Sequence, residues 1–291
     1  MKNSKEINVS GINKNVINLR TKTLDLNNPL VMGILNLTPD SFYDGGKYNS
    51  EKDILHQTEK MINEGAAIID IGAISTRPGS ENISEKEEIN KLSPVIKSLK
   101  RHFPTIPISI DTYHSNIAEI MINSGADIIN DISGGSFDEK MFNVIAKNNA
   151  TYILMHIKGT PKNMQKDPVY YDIVGEIKDF FFTQLSRIKK IKGNTNNIIL
   201  DPGFGFGKTL EHNYQLLNNL KEFKTFGLPI LVGVSRKSMI NKLLNTTPTE
   251  ALNGTTVLHT ISLLNGANIL RVHDVKEAVE AVKIVGMTKM T

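Results

Sequence analysis

No cysteine occurs in the 291 residues, so a disulfide framework and thiolate chemistry are both excluded, while the redox compartment stays open. The polar start Met1-Lys2-Asn3-Ser4-Lys5 carries no apolar signal core, and no apolar run approaches the length of a membrane span. A soluble, cytoplasmic protein is therefore expected. Low-complexity linkers are missing, and there is no internal repeat beyond a β/α alternation. Lys and Arg form no concentrated stripe, although the formal charge is +4 and the pI near 9.0. That mild basic balance suits small anionic substrates. Charge alone does not exclude nucleic acid, but the motifs below point to small molecules, with neither nucleic acid nor membrane as partner.

What is present is an ordered alternation. Eight short apolar runs each end in polar residues. Val31 to Leu35 leads into Asn36, Ile68 to Gly72 into Ser75-Thr76-Arg77-Pro78, Ile106 to Ile110 into Asp111, and Asp127 to Ile129 into Asn130-Asp131. Tyr152 to Met155 leads into His156, Ile198 to Leu200 into Asp201, Ile230 to Val234 into Ser235-Arg236-Lys237-Ser238, and Ile269-Leu270 into Arg271-Val272-His273-Asp274. Strands of a parallel sheet, buried on both faces, read as continuous apolar stretches, and helical segments separate these. The expected fold is α/β, a (β/α)8 TIM barrel, whose strand C-termini converge on the catalytic face. At 40% apolar the chain fits one barrel better than two unrelated domains. The expected division is a short N-terminal β-hairpin over residues 1–28, capping the barrel floor, and a barrel domain over 29–291. Ile7, Val9, Ile17, Leu19, Leu24 and Leu26 alternate as a hairpin requires.

Helix signals fill the intervals. Ser50 precedes a helix with Ile54, Leu55, Met61 and Ile62 on one face, and Ser84-Glu85-Lys86-Glu87 fits a capping box. Pro94 inside the second helix predicts a kink or early break. Ser115 is expected to cap a third helix, and a long one is expected from Tyr171 to about Lys190.

The residues at the strand ends carry the chemistry. Asp111, Asn130 and Asp201 each end an apolar run and so project into the mouth, partly desolvated, where a carboxylate must be paired or hydrogen-bonded. Two carboxylates and an amide can grip a ring edge bearing N–H and NH2 donors, whereas the bland alternative is capping of strand ends. Asp70, inside its strand, is a fourth candidate for the same group or a brace for its neighbours. Asn36 offers an amide oxygen to a hard cation, and the long loop after it is expected to close over substrate. Gly203-Phe204-Gly205-Phe206-Gly207-Lys208 fails the P-loop pattern, because Pro202 stands where that motif needs glycine. A tight loop laying Phe206 against a planar ligand is the reading instead. Ser235-Arg236-Lys237-Ser238 puts cations and hydroxyls at a helix start, where free N–H groups attract anions. Arg271 and His273, two apart on one strand, share a side and suit a phosphate or diphosphate.

Taken in order, Asn36-x-Thr38-Pro39-Asp40-Ser41-Phe42, Ser75-Thr76-Arg77-Pro78-Gly79, Asp201 through Lys208, Ser235-Arg236-Lys237-Ser238 and Arg271-Val272-His273-Asp274 resemble the motif set of the dihydropteroate synthases. The resemblance runs from about residue 30 to 285. It implies a pterin-binding barrel transferase of folate biosynthesis, joining 6-hydroxymethyl-7,8-dihydropterin diphosphate to 4-aminobenzoate, a target of sulfonamides. It further implies that Asn36 ligates Mg2+, and that Arg271 and His273 bind the diphosphate. Asp111, Asn130 and Asp201 would read the ring edge, Lys237 would contact the ring, and Met155 and Phe206 would flank it. Thr76, Pro78 and Ser238 would form the 4-aminobenzoate site. In catalysis, the resemblance gives Asp111 the developing cation and Arg271 and His273 the leaving charge, with Lys237 beside them. A homodimer is implied by the resemblance alone.

The chain departs from the family pattern at Ala73-Ile74, where a Gly-Glu pair is usual, and at His156-Ile157-Lys158-Gly159, where Lys158 is an added cation. Two rival readings are a pterin-dependent methyltransferase working with a corrinoid protein, and a non-catalytic pterin or phosphate binder. The Ser-Thr-Arg-Pro and Ser-Arg-Lys-Ser motifs weigh against the first. The presence of Asn36, Arg271 and His273 together weighs against the second.

Overall fold

The structure is a computed structural model and describes residues 16–20, 22–37, 51–73 and 83–290. The loop after Leu37, the Ser75-Thr76-Arg77-Pro78 turn, Ile74 and the first half of the expected hairpin, with Ile7 and Val9, lie outside the described residues. Two short strands come first, β1 (Val16–Asn18) and β2 (Thr23–Asp25), paired antiparallel with Ile17 opposite Leu24. Then follow β3 (Leu30–Asn36), α1 (Glu51–Asn63), β4 (Ile68–Gly72), α2 (Glu85–His102), β5 (Ile108–Asp111), α3 (Ser115–Asn123), β6 (Ile128–Asp131) and α4 (Met141–Asn148). The second half continues with β7 (Thr151–Met155), α5 (Ile173–Lys192), β8 (Ile198–Asp201), α6 (Leu210–Asn218), β9 (Leu231–Val232), α7 (Ser238–Leu244), α8 (Leu252–Leu264), β10 (Ile269–Val272) and α9 (Val275–Met290).

The strands β3 to β10 pair in parallel in the order β8-β7-β6-β5-β4-β3-β10-β9. A parallel bridge between Leu200 and Ile230 joins the two ends of that order, and the Leu200 N–H donates to the Pro229 carbonyl at 2.8 Å. The sheet is thus a nearly closed barrel ringed by helices, the expected (β/α)8 architecture. Strand residues that face outward, such as Ile69, Ile71, Ile110, Leu154 and Leu270, pack on the helical stripes as the main core. Inside the barrel, Met32, Ile68, Ile128, Ile153, Ile199, Leu231 and Ile269 form a second core. Ile17, Leu19, Leu24 and Leu26 of the hairpin segment belong to that same core and close the barrel floor.

Three helix expectations need adjustment. The helix α2 runs through Pro94 without a break. Pro94 and Asn90 are both exposed, so water can reach the Asn90 carbonyl that proline leaves without its N–H partner. Ser115 is the first residue of α3 rather than its cap, and its N–H is satisfied by Asp138 Oδ2 at 2.8 Å. The helix α5 begins at Ile173 because Asp172 caps it, accepting from the Gly175 N–H at 3.1 Å. The Ser84–Glu87 capping box is present in both directions.

Candidate active site at the barrel mouth

Strand alternation decides which side chains meet. Two residues beyond the inward-facing apolar layer, the same inward direction falls to Ile34, Asp70, Asn130, Met155, Asp201, Gly233 and Arg271. One layer of the barrel is apolar and closes it; the next mixes Asp70, Asn130, Asp201 and Arg271 with Ile34, Met155 and Gly233 and opens to the mouth. Asn36, Gly72, Asp111 and Asn130 are register neighbours across β3, β4, β5 and β6, which extends this polar layer by adjacency.

Arg271 organises the centre. Its Nε donates to Asp70 Oδ2 at 2.7 Å and its Nη2 to Asp111 Oδ2 at 2.9 Å. Asp70 is fully buried and also accepts from Ser109 Oγ at 2.5 Å and Asn130 Nδ2 at 3.1 Å. Three donors on one buried carboxylate satisfy it without water, and they orient Arg271 and Asn130 together. Burial pushes the Asp111 carboxyl up to about 7, with Arg271 pulling it back and Asp70 adding to the rise.

On the opposite side of the mouth, Asp201 accepts from the Gly203 N–H at 2.8 Å. Lys237 donates from Nζ to the Phe204 carbonyl at 2.5 Å and sits 4.6 Å from the centroid of the Phe206 ring. Gly233 lies beside it, since a side-chain carbon there would stand in ordinary contact with both Lys237 Nζ, at 3.8 Å, and the Arg271 stem. Burial pulls the Lys237 ammonium down to about 8, against the field of Asp201. Burial likewise raises Asp201, and the Lys237 charge opposes it most. Met155 belongs to a small apolar cluster with Ile132, Ile157 and Met164, against which Phe206 and Tyr113 pack. The space bordered by this apolar cluster and by the carboxylates and amide is the slot a planar ring would enter.

The remaining expected residues take these places. His273 follows β10, its Nδ1 3.0 Å from Ser235 Oγ, and its backbone N–H donates to the same oxygen at 3.2 Å. Ser238 is the exposed first residue of α7. Thr76 and Pro78 lie outside the described residues. Arg236, one of the cations expected to face an anion, turns away: it forks onto Asp274 at 2.7 and 2.9 Å and donates to the Pro248 and Thr249 carbonyls. Lys158 is spent structurally, on Glu176 at 3.0 Å, the Val169 carbonyl and the face of the Tyr170 ring at 4.1 Å.

Two residues that sequence reasoning passed over are Ser109 and Lys208. Ser109 lies two before Asp111 and hence on the same inward side, a signal that strand alternation alone supplies. Lys208 closes the glycine-rich loop and the family motif but receives no role from the sequence; it is 3% exposed, and burial pushes its ammonium well below the usual lysine range.

The cation expected at Asn36 has a fitting but thin donor set. Asn36 Oδ1 and Asp111 flank Gly72, at 3.6 and 3.7 Å (the Asp111 Cβ) from where a side-chain carbon on that glycine would stand. Among the described residues no group of three or more His, Asp or Glu side chains is placed to hold a metal. An ion here would therefore take most of its ligands from phosphate oxygens and water, which is the ordinary habit of Mg2+.

Residues 32–273 match the family model described as pterin binding enzyme. The chain is 46% identical over 266 residues to the dihydropteroate synthase of Escherichia coli (strain K12), covering 91% of this chain and 94% of that one. It is 46% identical over 255 residues to the Synechocystis dihydropteroate synthase, covering 87% and 88%. The Yersinia pestis dihydropteroate synthase, solved with a sulfonamide drug complex, superposes with a TM-score of 0.91 at 44% identity, covering 95% of this chain and 100% of that one. The Xanthomonas albilineans dihydropteroate synthase, solved with 4-aminobenzoic acid, does so with a TM-score of 0.87 at 32% identity, covering 95% and 99%.

Proposed function

This chain belongs to the family of pterin binding enzymes, and from that premise we propose how its mouth carries out the dihydropteroate synthase reaction. The enzyme is a transferase of folate biosynthesis. It condenses 6-hydroxymethyl-7,8-dihydropterin diphosphate with 4-aminobenzoate to 7,8-dihydropteroate and diphosphate. The observation that carries the residue assignment is the polar layer directly above the apolar plug: Asp111, Asn130 and Asp201 converge with Lys237 and Arg271 in one desolvated mouth.

In this reading Asp201 and Asn130 accept from and donate to the ring edge, and Lys237 reaches the ring from beside Phe206. Met155 and Phe206 provide the apolar faces, where a planar heterocycle buries most area. The reaction breaks the bond from the pterin methylene carbon to the diphosphate oxygen, forms one from that carbon to the aniline nitrogen, and releases the nitrogen's proton. Positive charge grows on the methylene as the oxygen departs. Asp111, ionised against Arg271, faces that charge, and Arg271 with His273 takes up the negative charge on the diphosphate. Asn36 would supply one oxygen to Mg2+, which when bound would neutralise phosphate charge as a Lewis acid. Ser238, with Thr76 and Pro78, is assigned to 4-aminobenzoate. Asp201→Asn titrated with 6-hydroxymethylpterin tests the ring assignment; unchanged affinity would remove it.

A homodimer is part of the proposal. Exposed apolar side chains gather on the last helices: Leu243 and Leu244 on α7, Val257, Ile261 and Leu264 at helical spacing on α8, and Ile284 on α9. A patch of this kind favours a partner of equal character, and a second copy offers it. Sedimentation at two concentrations distinguishes dimer from monomer. No described helix is long and apolar enough to cross a membrane.

A further inference from the structure

We propose that Lys208 is a positioning residue for the pterin end of the site, locking two loops into the arrangement that presents Phe206, Asp201 and Lys237 to the ring. The inference rests on the assignment of Asp201 and Phe206 to the pterin.

The segment Gly203 to Gly207 directs every one of its carbonyl oxygens to a side-chain donor. Gly203 O accepts from Lys208 Nζ at 2.9 Å, Phe204 O from Lys237 Nζ at 2.5 Å, and Gly205 O from Gln165 Nε2 at 2.7 Å. Phe206 O accepts from Lys208 Nζ at 3.0 Å and Gly207 O from the Tyr170 hydroxyl at 2.9 Å. Lys208 alone serves two of the five, and those two bracket a turn in which the Phe206 N–H also donates to Gly203 O at 3.1 Å. The orientation of the Phe206 ring follows from the turn that Lys208 closes.

The same nitrogen makes a third contact elsewhere. Lys208 Nζ stands 3.1 Å from His156 Nδ1, on the residue after Met155. Burial holds the His156 ring well below the usual histidine range, so the ring is neutral and Nδ1 can accept. One buried amine nitrogen therefore ties the exit of β7, which carries Met155, to the exit of β8, which carries Asp201. The two exits already touch closely. Gly203 has φ +73°, and a side-chain carbon there would stand 1.9 Å from the His156 carbonyl oxygen. Gly203 also gives its N–H to Asp201 Oδ1, so the residue gripped by Lys208 through its oxygen grips the ring-binding carboxylate through its nitrogen.

The hydrogen-bond partners of Nζ are carbonyls and a neutral imidazole, with no carboxylate among them. Burying an amine in such a cage costs desolvation, and an apolar side chain would fill the space without that cost. What the cage gains is fixed carbonyl directions on the wall of the slot. Lys237 benefits too, because the Phe204 carbonyl that holds it lies inside the same turn.

The test compares Lys208→Met, which keeps the stem and removes all donors, with Lys208→Gln, which keeps an amide donor. Thermal midpoint, affinity for 6-hydroxymethylpterin by calorimetry, KM for 4-aminobenzoate and kcat are measured for each. The expected result is a folded Lys208→Met enzyme whose pterin affinity falls about tenfold or more, the scale of a wall that has lost its hydrogen bonds. KM for 4-aminobenzoate and kcat at saturating pterin diphosphate should move far less, and Lys208→Gln should recover part of the pterin affinity. Wild-type pterin affinity in folded Lys208→Met, an equal loss for both substrates, or failure of both variants to fold overturns the proposal in favour of a purely structural lysine. Asp201→Asn measured in parallel keeps the two questions apart. If that variant binds pterin normally, the ring assignment itself fails, whatever Lys208 does.

Discussion

Arg271 Nη2 donates to Asp111 Oδ2 at 2.9 Å, joining β10 to β5 over a sequence separation of 160 residues. The family resemblance assigns the two residues to opposite ends of one substrate, Arg271 to the diphosphate and Asp111 to the pterin. In the folded protein they share a hydrogen bond, and Asp70 completes the trio. Charge supplied to the leaving group and charge supplied to the cation are therefore linked through one guanidinium.

Arg271→Ala should weaken diphosphate binding and also disturb the pterin end. Loss of the guanidinium leaves Asp70 buried without its cation, a change that typically costs about 3–5 kcal/mol of stability. It also removes the strongest influence holding Asp111 down, so the Asp111 carboxyl should rise further. Product inhibition by diphosphate, pterin calorimetry from pH 6 to 8 and thermal melting read the three effects. Loss of diphosphate affinity with untouched pterin binding at every pH would mean that the two ends are independent after all.

Asp70→Asn isolates the brace. The amide keeps the shape but brings its own N–H donors toward a site that receives Arg271, Asn130 and Ser109 as donors. A buried charge pair broken from one side costs about 3–5 kcal/mol, so the midpoint of chemical denaturation should fall markedly. A variant as stable as the parent would show that Asp70 carries no ionic role.

Asp111→Asn should keep the fold and lose turnover by a factor on the order of 100 or more, because an amide preserves shape without balancing a growing cation. Single-turnover rates with both substrates saturating measure this step. Turnover near that of the parent would take Asp111 out of the chemistry.

The pH dependence follows from two groups on opposite sides of the slot. Asp111 is raised to about 7 by burial, so protonation removes the working carboxylate as pH falls below that value. Lys237 is lowered to about 8 by burial, so its positive charge disappears as pH rises past it. Activity under kcat/KM conditions for the pterin diphosphate should rise through the first value and decline through the second, a narrow bell. Lys237→Arg, whose charge persists in alkali, should flatten the upper limb. An upper limb unchanged in that variant would assign it to another group.

Much of this site is legible in the linear chain because barrel geometry converts position into direction. The runs Ile68 to Gly72 and Ile198 to Leu200 are the strands β4 and β8 almost to the residue, and Asp201, the polar ending of the second, belongs to its strand. Asp111 and Asp201 close β5 and β8 by pairing with their neighbours, which places them in the mouth with strand rigidity. Legibility ends where a side chain must choose between partners. Nothing in Ser235-Arg236-Lys237-Ser238 says that Arg236 bonds Asp274 while Lys237 enters the slot. The difference arises because Arg236 sits at φ +54°, a backbone turn that throws consecutive side chains apart. Pro94 fails to break α2 for the opposite reason. Its local penalty is fixed, but an exposed helix face lets water meet the freed carbonyl, and the apolar stripe Leu92, Ile96 and Leu99 holds α2 together.

The central claim is that one mouth couples diphosphate departure to capture by an aromatic amine. The direct measurement is simultaneous quantification of diphosphate and 7,8-dihydropteroate from purified enzyme with Mg2+, supplying each substrate alone and then both. The account predicts equal amounts of the two products, formed over repeated turnovers only when pterin diphosphate and 4-aminobenzoate are both present. Diphosphate released at the same steady rate without the amine, or no dihydropteroate with both substrates present, would contradict it.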